Sequence, residues 1–125
     1  MKYLQDYRED KQTDLFNKTG SFFAFSNKQF DEGKKEGAKY VNCGAGLLCE
    51  KDHVQELITG LKQINDEAVK QDLKDNGYYN IIARELGNYE CYYTGDISDA
   101  VDELKQYGIS RKEVYAVYQA EKRFN

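Results

Sequence analysis

Apolar positions along the chain alternate between a helical and an extended spacing, and the changes of spacing divide it into segments. Residues 2–17 place Leu4, Tyr7 and Leu15 on one helical face, along which Lys11 can lay its aliphatic stem, while Asp6, Glu9, Asp10 and Asp14 lie elsewhere. Thr19-Gly20 ends this first helix. The run Phe22-Phe23-Ala24-Phe25 is apolar throughout and too short for a helix, which predicts a buried strand over residues 21–26. A helix should follow at once: Ser26 and Gln29 have the spacing of a capping box, Phe25 and Phe30 occupy the staple positions, and Gly37 is placed to stop it. Residues 40–50 read as extended on either side of Gly44-Ala45-Gly46, whose glycines suit a hairpin turn or a bulge.

The longest amphipathic stripe starts behind Asp52, with Gln55 three positions on. It runs through Val54, Leu57, Ile58, Leu61, Ile64 and Ala68, with Leu73 beyond, and Asn76-Gly77 closes the helix. Gly60 within it marks a close helix crossing. A shorter helix with Tyr79, Ile82, Ala83 and Leu86 on one side ends at Gly87, and the aromatic alternation of residues 89–94 predicts another strand. Asp96 then opens a helix with Ile97, Ala100, Val101, Leu104 and Tyr107 inward and Gly108 as its stop. The last helix is announced by Ser110 with Glu113 as capping box and Ile109 with Val114 as staple, and carries Val117 and Tyr118 inward. The pattern predicts an α+β fold. A small, mainly antiparallel sheet of three to four short strands, drawn from the segments near residues 21–26, 40–49 and 89–94, is covered by about five or six helices. A parallel α/β sheet is the alternative, but the extended runs are too short and too few for a doubly wound fold.

Composition narrows the class. A chain of 125 residues suits a single domain with one core, and 40% apolar residues exclude disorder. No apolar run approaches membrane length, and the N-terminus turns charged before a signal sequence can form, so the cytoplasm is the expected compartment. Cys43, Cys49 and Cys91 have neither even number nor zinc-ribbon spacing and read as reduced, buried thiols. His53 beside a cysteine or a metal would need geometry that spacing does not supply, so no metal and no cofactor are expected. A formal charge of −4 without a basic stripe argues against nonspecific nucleic-acid binding.

Two stretches are candidates for function. From Glu85 to Leu104 the chain holds six carboxylates and no basic residue, interleaved with Tyr89, Tyr92 and Tyr93. Such a surface suits a protein groove that normally receives phosphates, and Glu90, Tyr93, Asp96, Asp99 and Asp102 are its expected contacts. The plainer reading is that acids in a first helical turn stabilise the helix and that the face is simply solvated. The second stretch pairs Ser26 and Asn27 with Gly44 and Gly46, where backbone N–H groups in a glycine loop can approach a phosphate-containing ligand. More extended residues follow those glycines instead of a helix, which favours the turn. Glu85 and Glu90 could do acid–base work, yet no hydrolase, Walker or zincin motif surrounds them, so an enzyme is not expected.

Ala24-Phe25-Ser26-Asn27-Lys28-Gln29-Phe30-Asp31-Glu32-Gly33-Lys34, the Gly44-Ala45-Gly46 turn and Glu85-Leu86-Gly87-Asn88-Tyr89-Glu90 resemble a family of small uncharacterised proteins of bacteriophages and bacterial mobile elements. The resemblance covers most of the chain and carries no activity onto individual residues. It implies an accessory protein in a bacterial host cell that binds a host protein, such as a CRISPR effector or another nucleic-acid enzyme. A small-ligand binder or a purely structural interaction domain are the alternatives.

Overall fold

The computed structural model describes all residues, 1–125. The elements in order are α1 (Leu4–Thr19), β1 (Phe22–Phe23), α2 (Asn27–Gly33), β2 (Tyr40–Asn42), β3 (Leu47–Glu50), α3 (Val54–Asn88), α4 (Cys91–Thr94), α5 (Ser98–Leu104) and α6 (Arg111–Glu121). Single 3-10 turns at Lys51–His53, Lys105–Tyr107 and Lys122–Phe124 complete them. Six helices and one three-stranded antiparallel sheet make the fold α+β. The chain divides into two compact units, one of residues 5–68 and one of residues 1–4 with 69–125.

The first unit contains the whole sheet, in the order β1-β3-β2. Register places Phe22 opposite Leu48 and Val41 opposite Cys49. The hairpin is closed by Gly44, Ala45 and Gly46, all at positive φ, with the Cys43 N–H donating to the Leu47 carbonyl at 2.8 Å. One face of β3 carries Leu47 and Cys49, which form a core with Leu57 against Leu15, Phe16, Val54 and Leu61. Burying a side chain such as Leu57 is worth roughly 1.5–3 kcal/mol. The other face is covered in part by α2, where Phe22, Phe30 and Tyr40 pack edge-on or stacked with centroids 5.5–6.4 Å apart. α1 and α3 approach closely at Gly60, since a Cβ there would lie 2.7 Å from Leu15. Ile58, expected on the buried stripe, is exposed.

The phenylalanine run is a two-residue edge strand, and it corrects the expectation of a buried one. Phe23 is half exposed and Phe25 is 75% exposed. The central position belongs to β3, because only β3 has a neighbour on each side with which to satisfy its backbone. The expected staple is also absent: Phe25 stacks on Phe23, and Phe22 takes its place beside Phe30. The Ser26 hydroxyl does accept from the Gln29 N–H at 3.2 Å, but the Gln29 side-chain oxygen accepts from Phe25 N–H instead of Ser26 N–H. α2 stops at Gly33, where a Cβ would meet the Phe22 ring, four residues before Gly37.

The second unit is entirely helical. Its core includes Ile81, Ile82, Leu86, Cys91, Leu104 and Val114. Within this unit α3 breaks at Gly77, whose φ of 76° and ψ of 162° are not helical. Asp72 and Arg84 demonstrate the break: twelve residues of straight helix would separate them by about 18 Å, yet their side chains pair with both contacts at 2.9 Å. α6 begins with the complete Ser110–Glu113 capping box, and the flanking Ile109 and Val114 are both buried.

Candidate functional site

Residues 89–94 are a helical turn and not the expected strand. A strand needs a ladder partner, and all three strands of the protein lie in the other unit. Tyr89 N–H and Glu90 N–H close the end of α3 on the Glu85 and Gly87 carbonyls, and Glu90 then takes a left-handed conformation with φ 55°. From there α4 makes a single turn, closed by Gly95 at φ 76°. Consecutive side chains on that turn point three ways. Cys91 is fully buried, Tyr92 stacks on Tyr118, and Tyr93 is 92% exposed.

Asp96 links α4 to α5. Its N–H donates to the Thr94 hydroxyl at 3.2 Å, and its carboxylate accepts from the Ser98 N–H at 2.9 Å, which holds its pKa below the usual aspartate value. Ile97, Ala100, Val101 and Leu104 face the core, so the helical period leaves Asp99 and Asp102 outside. Glu90, Tyr93, Asp96, Asp99 and Asp102 are therefore all exposed, as an interaction surface requires. Asp102 pairs with Lys105 at 3.1 Å, just beyond the acidic stretch. Burial and then the carboxylates of Glu103, Glu85 and Asp99 raise the Tyr89 phenol above its ordinary value.

Glu85 is not part of this surface. It is buried, with its carboxylate 3.0 Å from the Arg84 guanidinium. Arg84 also forms a two-pronged pair with the fully buried Asp72, donates to the Lys2 carbonyl at 2.9 Å and lies over the Tyr3 ring. The Tyr107 hydroxyl donates to Asp72 at 2.6 Å. Burial alone would raise the Asp72 pKa, but hydrogen bonds from Arg84, Tyr107 and Asn76 together hold it below the ordinary value. Sequence reasoning missed this network. Its signal was present, because Asp72 falls four residues after Ala68 on the apolar stripe of α3, where an acid requires a buried cation.

The second candidate stretch lies in the sheet-bearing unit. Ala24, Phe25, Ser26 and Asn27 line an open groove of about 460 Å³ with Phe30, Leu48 and neighbouring residues. Gly46 adjoins it through Phe25, whose ring leaves no room for a Cβ there, and Ala24 N–H donates to the Gly46 carbonyl at 2.8 Å. Ser26 and Gly46 are thus near one another, but the donors a phosphate would use are partly engaged. The Gly44 N–H already donates to Asn42 Oδ1 at 2.8 Å. Cys49 and Cys91 are buried, whereas Cys43 is exposed, against the expectation of three buried thiols. His53 is half exposed, 3.8 Å from Glu56. No group of three or more His, Cys, Asp or Glu side chains is arranged to hold a metal ion, and no helix is long and apolar enough to cross a membrane.

Residues 4–125 match a family of unknown function, DUF7659. The chain belongs to that family. No curated protein and no solved structure matches it. The match spans both compact units of this DUF7659 member, so the helical unit with its acidic, tyrosine-bearing face and the sheet-bearing unit fall within one family.

Proposed function

We propose that this DUF7659 protein acts by binding another protein through the face formed by Glu90, Tyr93, Asp96, Asp99 and Asp102, and that it performs no catalysis. The observation that carries the reading is the exposure of all five side chains on a short, capped frame, with Tyr93 the most exposed large aromatic residue of the chain. Aromatic anchors ringed by charge are the composition of binding surfaces. The partner fitted to a row of carboxylates is a protein with a basic groove of the kind that receives nucleic acid. Together with the resemblance of the Ala24–Lys34 motif to proteins of phages and mobile elements, this supports a cytoplasmic accessory protein that blocks a host enzyme, a CRISPR nuclease among the candidates. The alternative, a phosphate-containing ligand at Gly44–Gly46, has less support because Asn42 occupies the Gly44 N–H.

The test is electrostatic. A partner retained from bacterial host lysate and then purified should bind more slowly and more weakly as salt rises, since complementary surfaces are screened over about 8 Å at physiological ionic strength. Replacing Asp96 and Asp99 together by Lys should weaken the complex further while the domain stays folded by circular dichroism. A partner indifferent to both salt and the double reversal would refute the assignment and move the site to the groove at Ser26 and Asn27.

A further inference from the structure

Aromatic residues are divided unevenly between the two units. Nine of the eleven tyrosines, all but Tyr7 and Tyr40, belong to the helical unit, and five of the six phenylalanines, all but Phe124, belong to the other. A tyrosine ring with a polar tip is suited to a surface that is wet until a partner covers it. Three of these tyrosines are in ring contact, and a fourth, Tyr79, bonds to the same helix, α6. Tyr92 and Tyr118 stack with centroids 5.6 Å apart and planes within 13°, and Tyr115 follows Tyr118 at 6.3 Å. The Tyr79 hydroxyl donates to the Glu121 carboxylate. Tyr115, at the end of the stack, is 52% exposed, and Tyr79 offers a second ring that is 49% exposed.

The local charge selects what fits there. After burial, the strongest electrostatic influences on the Tyr92 phenol are Glu121, Tyr79, Cys91 and Tyr118, and all act in one direction, pushing it up to about 12. Of the bases in and just after α6, Arg111 acts on Asp96, Arg123 lies over the Phe124 ring, and Lys112 and Lys122 are exposed. Aromatic faces carry a negative quadrupole, and beside a carboxylate they attract a cation that can stack and hydrogen-bond at once. Guanidinium does both; the compact, strongly hydrated ammonium of lysine does not. A nucleic-acid base would also stack on tyrosine, but its phosphates would meet Glu121 on a chain of net charge −4.

We propose that the face formed by Tyr79, Tyr92, Tyr115, Tyr118 and Glu121 docks an arginine-bearing segment of a partner protein, the guanidinium lying flat on an exposed tyrosine ring and pairing with Glu121. The inference rests on the reading that the protein acts by binding proteins, but it shares no residue with the proposed carboxylate site and fails separately.

The experiment titrates the full chain, with isotope-labelled tyrosine rings, with a hexa-arginine peptide, a hexa-lysine peptide and an oligothymidylate, and follows the ring resonances by NMR. The arginine peptide should give saturable shifts at Tyr79, Tyr115 and Tyr118, several-fold tighter than the lysine peptide. Glu121→Gln, which still accepts from Tyr79, should weaken that binding about tenfold, and Tyr115→Ala should also weaken it. Asp96→Lys with Asp99→Lys should leave the shifts of these three rings in place. Equal response to arginine and lysine peptides would overturn the proposal. So would a response confined to Tyr89 and Tyr93, which would leave the carboxylate-row reading standing, or oligothymidylate binding at the same rings.

Discussion

Replacing Arg84 by Met removes the cation from the most deeply buried charge network in the protein. The Arg84 and Asp72 side chains are 4% and 0% exposed, and the pair is held by two contacts of 2.9 Å. Methionine keeps most of the aliphatic volume, so the loss is electrostatic: Asp72 stays buried without its counter-ion, and Glu85 loses its partner as well. Breaking such a pair from one side costs about 3–5 kcal/mol, a large share of the 5–15 kcal/mol that holds a typical domain. The pH dependence supplies an independent check. In the native protein the Asp72 pKa lies below its ordinary value, so its contribution is present above the ordinary carboxylate range and is lost as pH falls through the folded pKa. In Arg84→Met the sign reverses, because burial without a cation raises the folded pKa. The destabilisation then grows as pH rises through that raised pKa and shrinks towards the unfolded value. Urea denaturation followed by far-ultraviolet circular dichroism, from about pH 3 to about pH 8, measures both effects. A deficit below about 1 kcal/mol at neutral pH, or one that does not shrink in acid, would refute a buried, stability-determining ion pair. Adding Asp72→Leu to Arg84→Met should recover much of the loss, with the remainder due to Glu85.

Other substitutions have definite expected outcomes. Tyr107→Phe removes the 2.6 Å hydrogen bond to Asp72 and should cost about 1.5–3 kcal/mol by urea denaturation, less than Arg84→Met. Gly77→Ala meets no atom within 4 Å, so its cost of about 1–3 kcal/mol should come wholly from the positive φ. Gly87→Ala, helical and equally uncrowded, should instead stabilise by about 0.5–1 kcal/mol, and a scan in which both glycines respond alike would contradict the break at Gly77. Phe25→Ala should fall well short of the roughly 3–5 kcal/mol of a buried phenylalanine, because the ring is largely exposed, and Phe22→Ala should cost more. Ser110→Ala, which opens the one complete capping box, should cost about 1 kcal/mol in thermal denaturation.

The helices were legible in the chain wherever short-range chemistry decides them. Ser110 with Glu113, the Ile97–Leu104 stripe, the Gly44–Gly46 turn and the break at Gly77 all depend on spacing within a few residues, and spacing is what a sequence displays. The exposed positions of Asp99 and Asp102 followed from the same period. Tertiary structure decided the rest. Whether Tyr89–Thr94 is a strand depends on a partner strand, and the only sheet lies in the other unit. Whether Phe22–Phe25 is central or at an edge depends on β3 taking both neighbours, which no local signal records. The Asp72–Arg84–Tyr107 network joins residues up to 35 positions apart across a sharp turn, and the tyrosine face joins Tyr79 to Glu121 across 42. Both assemblies arise because burying apolar stripes brings distant segments together, and the polar groups carried along must then find partners in one another.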